Sequence, residues 1–159
     1  LEVELDGRQF YIAHGDGLGP GDRKYKALKK LFTNPVAIWL YQRFHPNFGV
    51  GFAAAMSKKS RNSQDENDHA FLGDKERQLI HSQHILKTSS IDYFIYGHRH
   101  HLKNLPLVHT APGGEVRTAR YVVLGDWIRY NSFARWDGRD FQLGQVDASG
   151  EHIRWVEGE

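Results

Sequence analysis

The chain has 159 residues, of which 40% are hydrophobic and 25% are charged, and these proportions exclude a disordered chain or a coiled coil. It has no cysteine, which excludes disulfides, thiolate nucleophiles and cysteine-ligated metals, and no apolar run approaches the roughly 20 residues that span a bilayer. The formal net charge of +2 does not by itself favour a nucleic-acid partner, whereas ten histidines and 13% aromatic residues are unusual.

The first residues predict a β-hairpin. Apolar Val3 and Leu5 alternate with glutamates, Asp6-Gly7 supplies a tight turn, and residues 8–13 return as a second strand. Residues 10–13 are apolar at every position, which predicts a strand buried on both faces.

Residues 22–87 are helical and irregular in character. Tyr25, Leu28 and Phe32 lie at helical spacing, and Pro35 ends that helix. The apolar stretch that follows, at 36–56, is broken by a proline and two glycines, and residues 57–68 are strongly polar. We expect a further helix from a cap at Asp74 to about Lys87.

The last part of the chain is β-structure again. Apolar runs predict strands at 91–96, 107–110, 120–124, 131–136, 141–146 and 152–156. Asp137-Gly138 and Ser149-Gly150 predict hairpin turns between the last three. Strands, a helical segment and further strands together predict a layered α/β domain.

Histidines follow two of the predicted core strands. His14 begins the sequence His-Gly-Asp after the second strand, and Gly97 precedes His98, Arg99 and His100 after another. Open α/β sheets place their sites at the carboxyl ends of strands, and neutral imidazole is a common metal ligand. We expect Gly97 to ease the turn between the two histidines of its loop. The alternative is that each histidine only satisfies a backbone carbonyl, and we expect the neighbouring His101 to be exposed.

A two-metal site also needs a bridging oxygen ligand, normally an aspartate. Asp126 follows a predicted strand, but Gly125-Asp126-Trp127 is equally consistent with a simple turn. The residues therefore offer half of a binuclear site.

These motifs resemble the later part of the calcineurin-like metallophosphoesterases, and most of all the bacterial UDP-2,3-diacylglucosamine hydrolases. The matching pieces are His14-Gly15-Asp16-Gly17-Leu18 followed by Asp22 and Tyr25, Gly97-His98-Arg99-His100, and Tyr121-Val122-Val123-Leu124-Gly125-Asp126-Trp127. The resemblance extends over nearly the whole chain. Arg99 stands where the family usually has threonine.

The resemblance implies a four-layered α/β sandwich that binds two divalent metal ions, usually Mn²⁺. His14 and His98 would ligate one ion and His100 the other. The family's upstream motifs (aspartate-x-histidine, glycine-aspartate and glycine-asparagine-histidine-aspartate) are absent from this sequence. We therefore expect residues 1–159 to be the C-terminal portion of one domain whose N-terminal part is missing, and to be inactive alone.

The resemblance also implies that residues 22–87 form a helical lid over the acyl chains of the substrate. The residues expected to contact the substrate's head group are Asp22, Ser57, Lys58, Ser60 and Arg61. We expect residues 57–71 to be mobile without ligand. The alternative is that the aromatic residues of this stretch are core and its basic run is a solvated surface.

The expected reaction is hydrolysis of UDP-2,3-diacylglucosamine to UMP and 2,3-diacylglucosamine 1-phosphate in lipid A biosynthesis. The enzyme would be cytoplasmic and in peripheral contact with the inner membrane, with its oligomeric state undetermined. Two alternatives stay open: another phosphoester substrate within the superfamily, or a metal-free, non-catalytic binding protein. We expect no nucleic-acid partner, because the cations of the first helix are spread around it; they are Arg23, Lys24, Lys26, Lys29 and Lys30.

Overall fold

The structure is a computed structural model that describes residues 1–21, 23–43, 45–62 and 70–156. It confirms an α/β protein with a mixed sheet. The chain divides into two compact units: residues 1–20 with 69–159, and residues 21–68. Each unit is described by itself below.

The first unit contains two sheets. Its strands in chain order are β1 Glu2–Leu5, β2 Arg8–Ala13, β3 Tyr93–Tyr96, β4 Leu102–Thr110, β5 Val116–Leu124, β6 Ser132–Trp136, β7 Phe141–Val146 and β8 Ile153–Val156. The first five form a sheet in the order β1-β2-β3-β5-β4, and the last three form an antiparallel sheet in chain order.

The three central strands of the larger sheet are parallel. Ala13 of β2 pairs with Tyr96 of β3, and Tyr96 pairs with Val123 of β5. The loops that follow these three strands therefore leave the sheet at one edge and at nearly one level. This edge carries His14 and His98.

Helix α4, Arg77–Leu86, covers one face of the larger sheet. Its Leu79 and Leu86 belong to one buried cluster with Phe94, Tyr96 and Tyr121 of the strands. The helix turns these leucines toward the sheet because they lie seven residues apart, close to two helical turns. Burial of such apolar side chains stabilises the fold by roughly 1.5–3 kcal/mol each.

The opposite face of the larger sheet packs on the smaller sheet. Phe10, Ile95 and Val122 form a second buried cluster with Leu143 of β7. The predicted N-terminal hairpin is confirmed, but the prediction that β2 is buried on both faces throughout is wrong. Ile12, two residues beyond Phe10 on the same face, is 36% exposed, because the described part of the smaller sheet packs on Phe10 and not on Ile12.

The elements differ from the predicted ones mainly at their ends. Strands β4 and β5 begin earlier than predicted because they pair as a long antiparallel ladder from Leu102–Leu124 to Thr110–Val116. The predicted helix from Asp74 is instead a short 3₁₀ turn, Gly73–Lys75, followed by α4. Glu76 is extended between them, with its carboxylate in a buried ion pair.

The described residues of the second unit form three helices, α1 Arg23–Phe32, α2 Pro35–Tyr41 and α3 Pro46–Asn62. Pro35 separates α1 from α2, as predicted, and Asn34 caps α2 by accepting hydrogen bonds from two backbone N–H groups. The unit ends earlier in the chain than the predicted lid of residues 22–87, because α4 packs in the core of the first unit. Among the described helices, none is both long and apolar enough to cross a membrane.

Candidate metal and substrate site

His14 and His98 lie side by side at the carboxyl edge of the larger sheet. Their ring centroids are 5.3 Å apart, with the ring planes at 69° to each other. The parallel pairing of β2 with β3 produces this contact, because each histidine is among the first residues after its strand. The structure thus brings together two of the three predicted metal ligands.

The backbone turns sharply at His98. Its φ is +65°, and the N–H of Arg99 donates to the carbonyl oxygen of Gly97 at 2.7 Å, which closes a three-residue γ-turn over His98. The prediction that Gly97 eases the turn is wrong, since the residue in the left-handed region is His98 itself. A side chain in this region costs about 1–2 kcal/mol relative to the ordinary conformation, and such strain is concentrated at functional sites.

A buried glutamine lies beneath both histidine loops. Gln78 of α4 is 2% exposed, and its Nε2 donates to the carbonyl oxygen of Gly97 at 3.1 Å. Gly15, with φ +100°, leaves the space that the amide occupies, because a Cβ there would lie 2.0 Å from Nε2. Gln78 was not predicted to be a functional residue. In the sequence, only its position on the apolar side of α4 indicates that it is buried.

Arg99 binds away from the histidines. Its Nε lies 3.2 Å from Glu76 Oε1, and its Nη2 donates to the carbonyl oxygen of Ala70 at 2.7 Å. The Glu76 side chain is 3% exposed, so the ion pair is largely desolvated. The residue at the position of the family's threonine therefore fastens the His98 loop to the segment before α4.

His101 is buried, and the expectation of an exposed side chain is wrong. It is 5% exposed, and its ring packs on Phe71 with the centroids 5.4 Å apart. Neither ring nitrogen has a hydrogen-bond partner among the described residues. Burial, reinforced by Arg99 and Lys103, lowers the pKa of His101 to about 4, so the ring is a neutral packing element at pH 7.

The surroundings of His98 also favour a neutral imidazole. Burial lowers its pKa, and the neighbouring His14 lowers it further, while Asp16 opposes the shift. A neutral ring has a free nitrogen lone pair, which is the form that a metal ion binds.

The donor set fits the imidazole half of a metal centre. Among residues 1–21, 23–43, 45–62 and 70–156, no group of three or more histidine or acidic side chains stands close enough to hold a metal ion. The structure therefore does not gather His100 with the other two histidines into a ligand cluster. Asp126 forms the turn that the sequence left open, since its Oδ1 accepts the N–H of Arg129 at 2.5 Å and its carbonyl accepts that of Tyr130.

The predicted head-group contacts lie in the second unit or outside the described residues. Ser57 and Lys58 are exposed in α3. Ser60 and Arg61 belong to the same helix by their backbone, and their side chains are outside the described part of the chain, as is Asp22. Their contact with a substrate stays a prediction.

The three helices of the second unit line an open apolar cavity of about 610 Å³, a size typical of small-molecule sites. The lining residues come from all three helices; they are Leu28, Leu31, Phe32, Ala37, Ile38, Leu40, Tyr41, Phe52, Ala53, Met56 and Ser57. The unit also exposes large apolar side chains, with Trp39 51% and Phe48 61% exposed. Such exposed apolar surface is typical of a binding site for an apolar ligand or of a surface that contacts a partner.

Curated relatives with one shared name match this chain along most of its length. It is 36% identical to the UDP-2,3-diacylglucosamine hydrolase of Porphyromonas gingivalis over 92% of this chain and 58% of that protein. The same-named proteins of Pseudomonas fluorescens and Pseudomonas putida are 25% and 26% identical over 91% and 92% of this chain, and 55% and 58% of their own lengths.

These relatives confirm the resemblance inferred from the motifs. No family model matches the chain. The chain spans about half the length of the curated relatives it matches.

Proposed function

We propose that this chain is part of a hydrolase that cleaves UDP-2,3-diacylglucosamine to UMP and 2,3-diacylglucosamine 1-phosphate. The observation that carries the proposal is the 36% identity over 92% of the chain to a relative named for this reaction. The paired histidines at the carboxyl edge of the sheet support it, because hydrolysis of a phosphoester commonly uses metal ions.

The proposed cofactor is a pair of divalent ions, Mn²⁺ in the first instance, with His14 and His98 on one ion and His100 on the other. When bound, such ions lower the pKa of a water molecule and stabilise charge on phosphoryl oxygens. This chain's own part would be to supply the imidazole ligands. Asp126 is not proposed as a further ligand, since its carboxylate is engaged in its turn.

The second unit is proposed to bind the acyl chains of the substrate as a lid. Its apolar cavity supports this role, because each methylene transferred from water into such a site contributes about 0.8 kcal/mol. The residues proposed to contact the head group are Asp22, Ser57, Lys58, Ser60 and Arg61. A four-layered sandwich completed around the two sheets belongs to the same proposal.

The proposed location is the cytoplasmic surface of the bacterial inner membrane. An acylated sugar nucleotide partitions into a bilayer through its acyl chains. An enzyme in peripheral contact with the membrane therefore meets its substrate more readily. The exposed Trp39 and Phe48 of the helical unit are suited to that contact.

One observation favours a second candidate, a metal-free binding protein. The described residues contain no group of three or more histidine or acidic side chains that could hold a metal ion, which is fewer ligands than a stable centre has. Hydrolysis of another phosphoester within the same superfamily is the third candidate. Both predict no release of UMP from the acylated substrate.

The test is release of UMP from UDP-2,3-diacylglucosamine with added Mn²⁺, using the longest natural gene product that contains this sequence. His14→Ala should lower the rate by at least about 100-fold, because losing a ligand exceeds the 10–100-fold effect of losing a ligand's hydrogen-bond partner. His84→Ala is the matched control, since His84 is an exposed histidine of α4.

Full activity in His14→Ala would refute the ligand assignment. No UMP from a folded, Mn²⁺-loaded wild type would refute the substrate. A small diester such as bis(p-nitrophenyl) phosphate, assayed in parallel, separates the remaining candidates, because a metal-free binding protein hydrolyses neither compound.

A further inference from the structure

We infer that Gln78 is a positioning residue whose side-chain amide holds the turn that presents His98. The inference rests on the proposed function, in which His98 is a metal ligand. It concerns a residue of α4 that contacts the loops of both histidines and lies outside the histidine motifs themselves.

The first step is the orientation of the amide. Tyr121 Oη donates to Gln78 Oε1 at 3.3 Å, and burial raises the pKa of Tyr121, so its hydroxyl stays a donor. With Oε1 accepting this bond, the amide NH₂ is directed to the opposite partner, the carbonyl oxygen of Gly97 at 3.1 Å. The amide thus has a single satisfied orientation.

The second step is the rigidity of the helix that carries it. Ser82 Oγ donates to the backbone oxygen of Gln78 at 2.9 Å and lies 2.8 Å from Tyr96 Oη. Both Ser82 and Tyr96 are 0% exposed. These bonds connect the first turn of α4 to β3 just before the His98 loop.

The third step is the shared carbonyl. The oxygen of Gly97 accepts the Gln78 amide and also the Arg99 N–H that closes the γ-turn. A positive φ at a histidine persists only where the surroundings hold it. The amide restrains the carbonyl on one side of the turn, and its removal leaves that oxygen held by the Arg99 N–H alone.

The fourth step is the link to the other histidine. The amide occupies the space beside Gly15, where a Cβ would lie 2.0 Å from Nε2. Gly15 directly follows His14, so one side chain packs against both loops. Gln78 thereby lies against both loops whose histidine rings are 5.3 Å apart between centroids.

The experiment compares Gln78→Met with Tyr121→Phe in the longest natural gene product that contains this sequence. The first removes both the donor to Gly97 and the acceptor of the Tyr121 hydroxyl while nearly keeping the side-chain volume. The second removes only the bond to Oε1, and both leave a buried polar group without its partner. Gln78→Leu, which also lacks the donor, replaces Gln78→Met should that variant fail to fold.

Two readouts separate positioning from general stability. In metal-free protein, Gln78→Met should accelerate hydrogen exchange of the Arg99 amide about tenfold more than that of the β5 amides, because the γ-turn opens locally. Calorimetric titration with Mn²⁺ should show affinity weakened about tenfold, at the lower end of the range for residues that orient ligands. Tyr121→Phe should change both readouts by less than about threefold.

Equal effects of the two substitutions would overturn the positioning role, and so would unchanged Arg99 exchange in Gln78→Met. Absence of Mn²⁺ binding by the wild type would overturn the metal assignment on which the inference rests. The exchange measurement distinguishes the two failures, because it reports on the turn without any metal present.

Discussion

His98 carries both the imidazole and the backbone strain of the candidate site. Its left-handed φ and the γ-turn hydrogen bond across it set the direction in which the ring leaves the backbone. A glycine would adopt this conformation without strain. The presence of histidine there implies that its imidazole has a role that outweighs the backbone strain.

Two substitutions measure that strain. Both His98→Gly and His98→Ala remove the imidazole, but only alanine keeps a Cβ in the left-handed region. We expect the free energy of unfolding, measured in urea, to be about 1 kcal/mol higher for His98→Gly than for His98→Ala. Glycine relieves the strain of the left-handed conformation, and this gain exceeds its greater loss of backbone entropy on folding. Equal stabilities would show that the turn at His98 is unstrained in solution.

At the residue scale, the sequence predicted the histidines and not the side chains that hold them. His14 and His98 follow recognisable apolar strands, so their edge of the sheet could be inferred from strand order alone. Gln78, in α4, and Glu76, just before it, were missed because polar residues are ordinarily solvent-facing, and only the tertiary fold buries these two. His101 was expected to be exposed for the same reason.

At the element scale, the hairpin between β7 and β8 is organised by one carboxylate. Asp147 Oδ1 accepts the backbone N–H groups of Gly150 at 2.9 Å and Glu151 at 3.2 Å. The Ser149 hydroxyl donates to the same oxygen, and His152 Nδ1 lies 2.9 Å from Oδ2. The Ser149 hydrogen bond, with the bonds from His152 and Gly150, lowers the pKa of Asp147 to about 2.

This shift predicts a pH dependence. Because the folded-state pKa of Asp147 is below the unfolded value of 3.8, its contribution to stability is present above pH 3.8 and is lost as pH falls toward about 2. The carboxyl ¹³C shift of Asp147 should titrate with a midpoint near 2, and Ser149→Ala should raise that midpoint. A midpoint near 3.8 in the wild type would contradict the hydrogen-bonded turn.

Most of the helices and strands could be predicted from the sequence, but the residues at which they begin and end could not. Asp137-Gly138 and Ser149-Gly150 gave the turns of the smaller sheet, since glycine takes the positive φ found at both Gly138 and Gly150. The length of the β4–β5 ladder was missed because the added residues include polar ones, such as Lys103 and Asn104 in β4 and Arg117 in β5. Backbone pairing, rather than apolar periodicity, extends these strands.

At the scale of the whole molecule, the chain separates into a sheet unit with the candidate ligands and a helical unit with an apolar cavity. Sequence composition indicated this division, because residues 36–56 are too apolar for a loop and too interrupted for one helix. The boundary of the helical unit could not be placed, since the pattern of α4 is also helical. Its packing on the sheet, through Leu79 and Leu86, assigns it to the first unit.

The last prediction concerns the cavity of the helical unit and its proposed role in binding acyl chains. Ala53 lines the cavity, so Ala53→Phe fills part of it, whereas Ala55→Phe places the same ring on α3 at a position outside the lining. If acyl chains occupy the cavity, Ala53→Phe should raise KM for UDP-2,3-diacylglucosamine by about tenfold or more, since each excluded methylene is worth about 0.8 kcal/mol.

The effect should shrink as the acyl chains of the substrate are shortened, and kcat should change little because the histidine loops lie in the other unit. Ala55→Phe should leave KM near the wild-type value. Equal KM for the two variants, across a series of chain lengths, would show that the cavity does not hold the acyl groups. A uniform fall in kcat for both would instead indicate that a bulky ring anywhere on α3 disturbs the helical unit, which circular dichroism and thermal unfolding of the two variants would reveal directly.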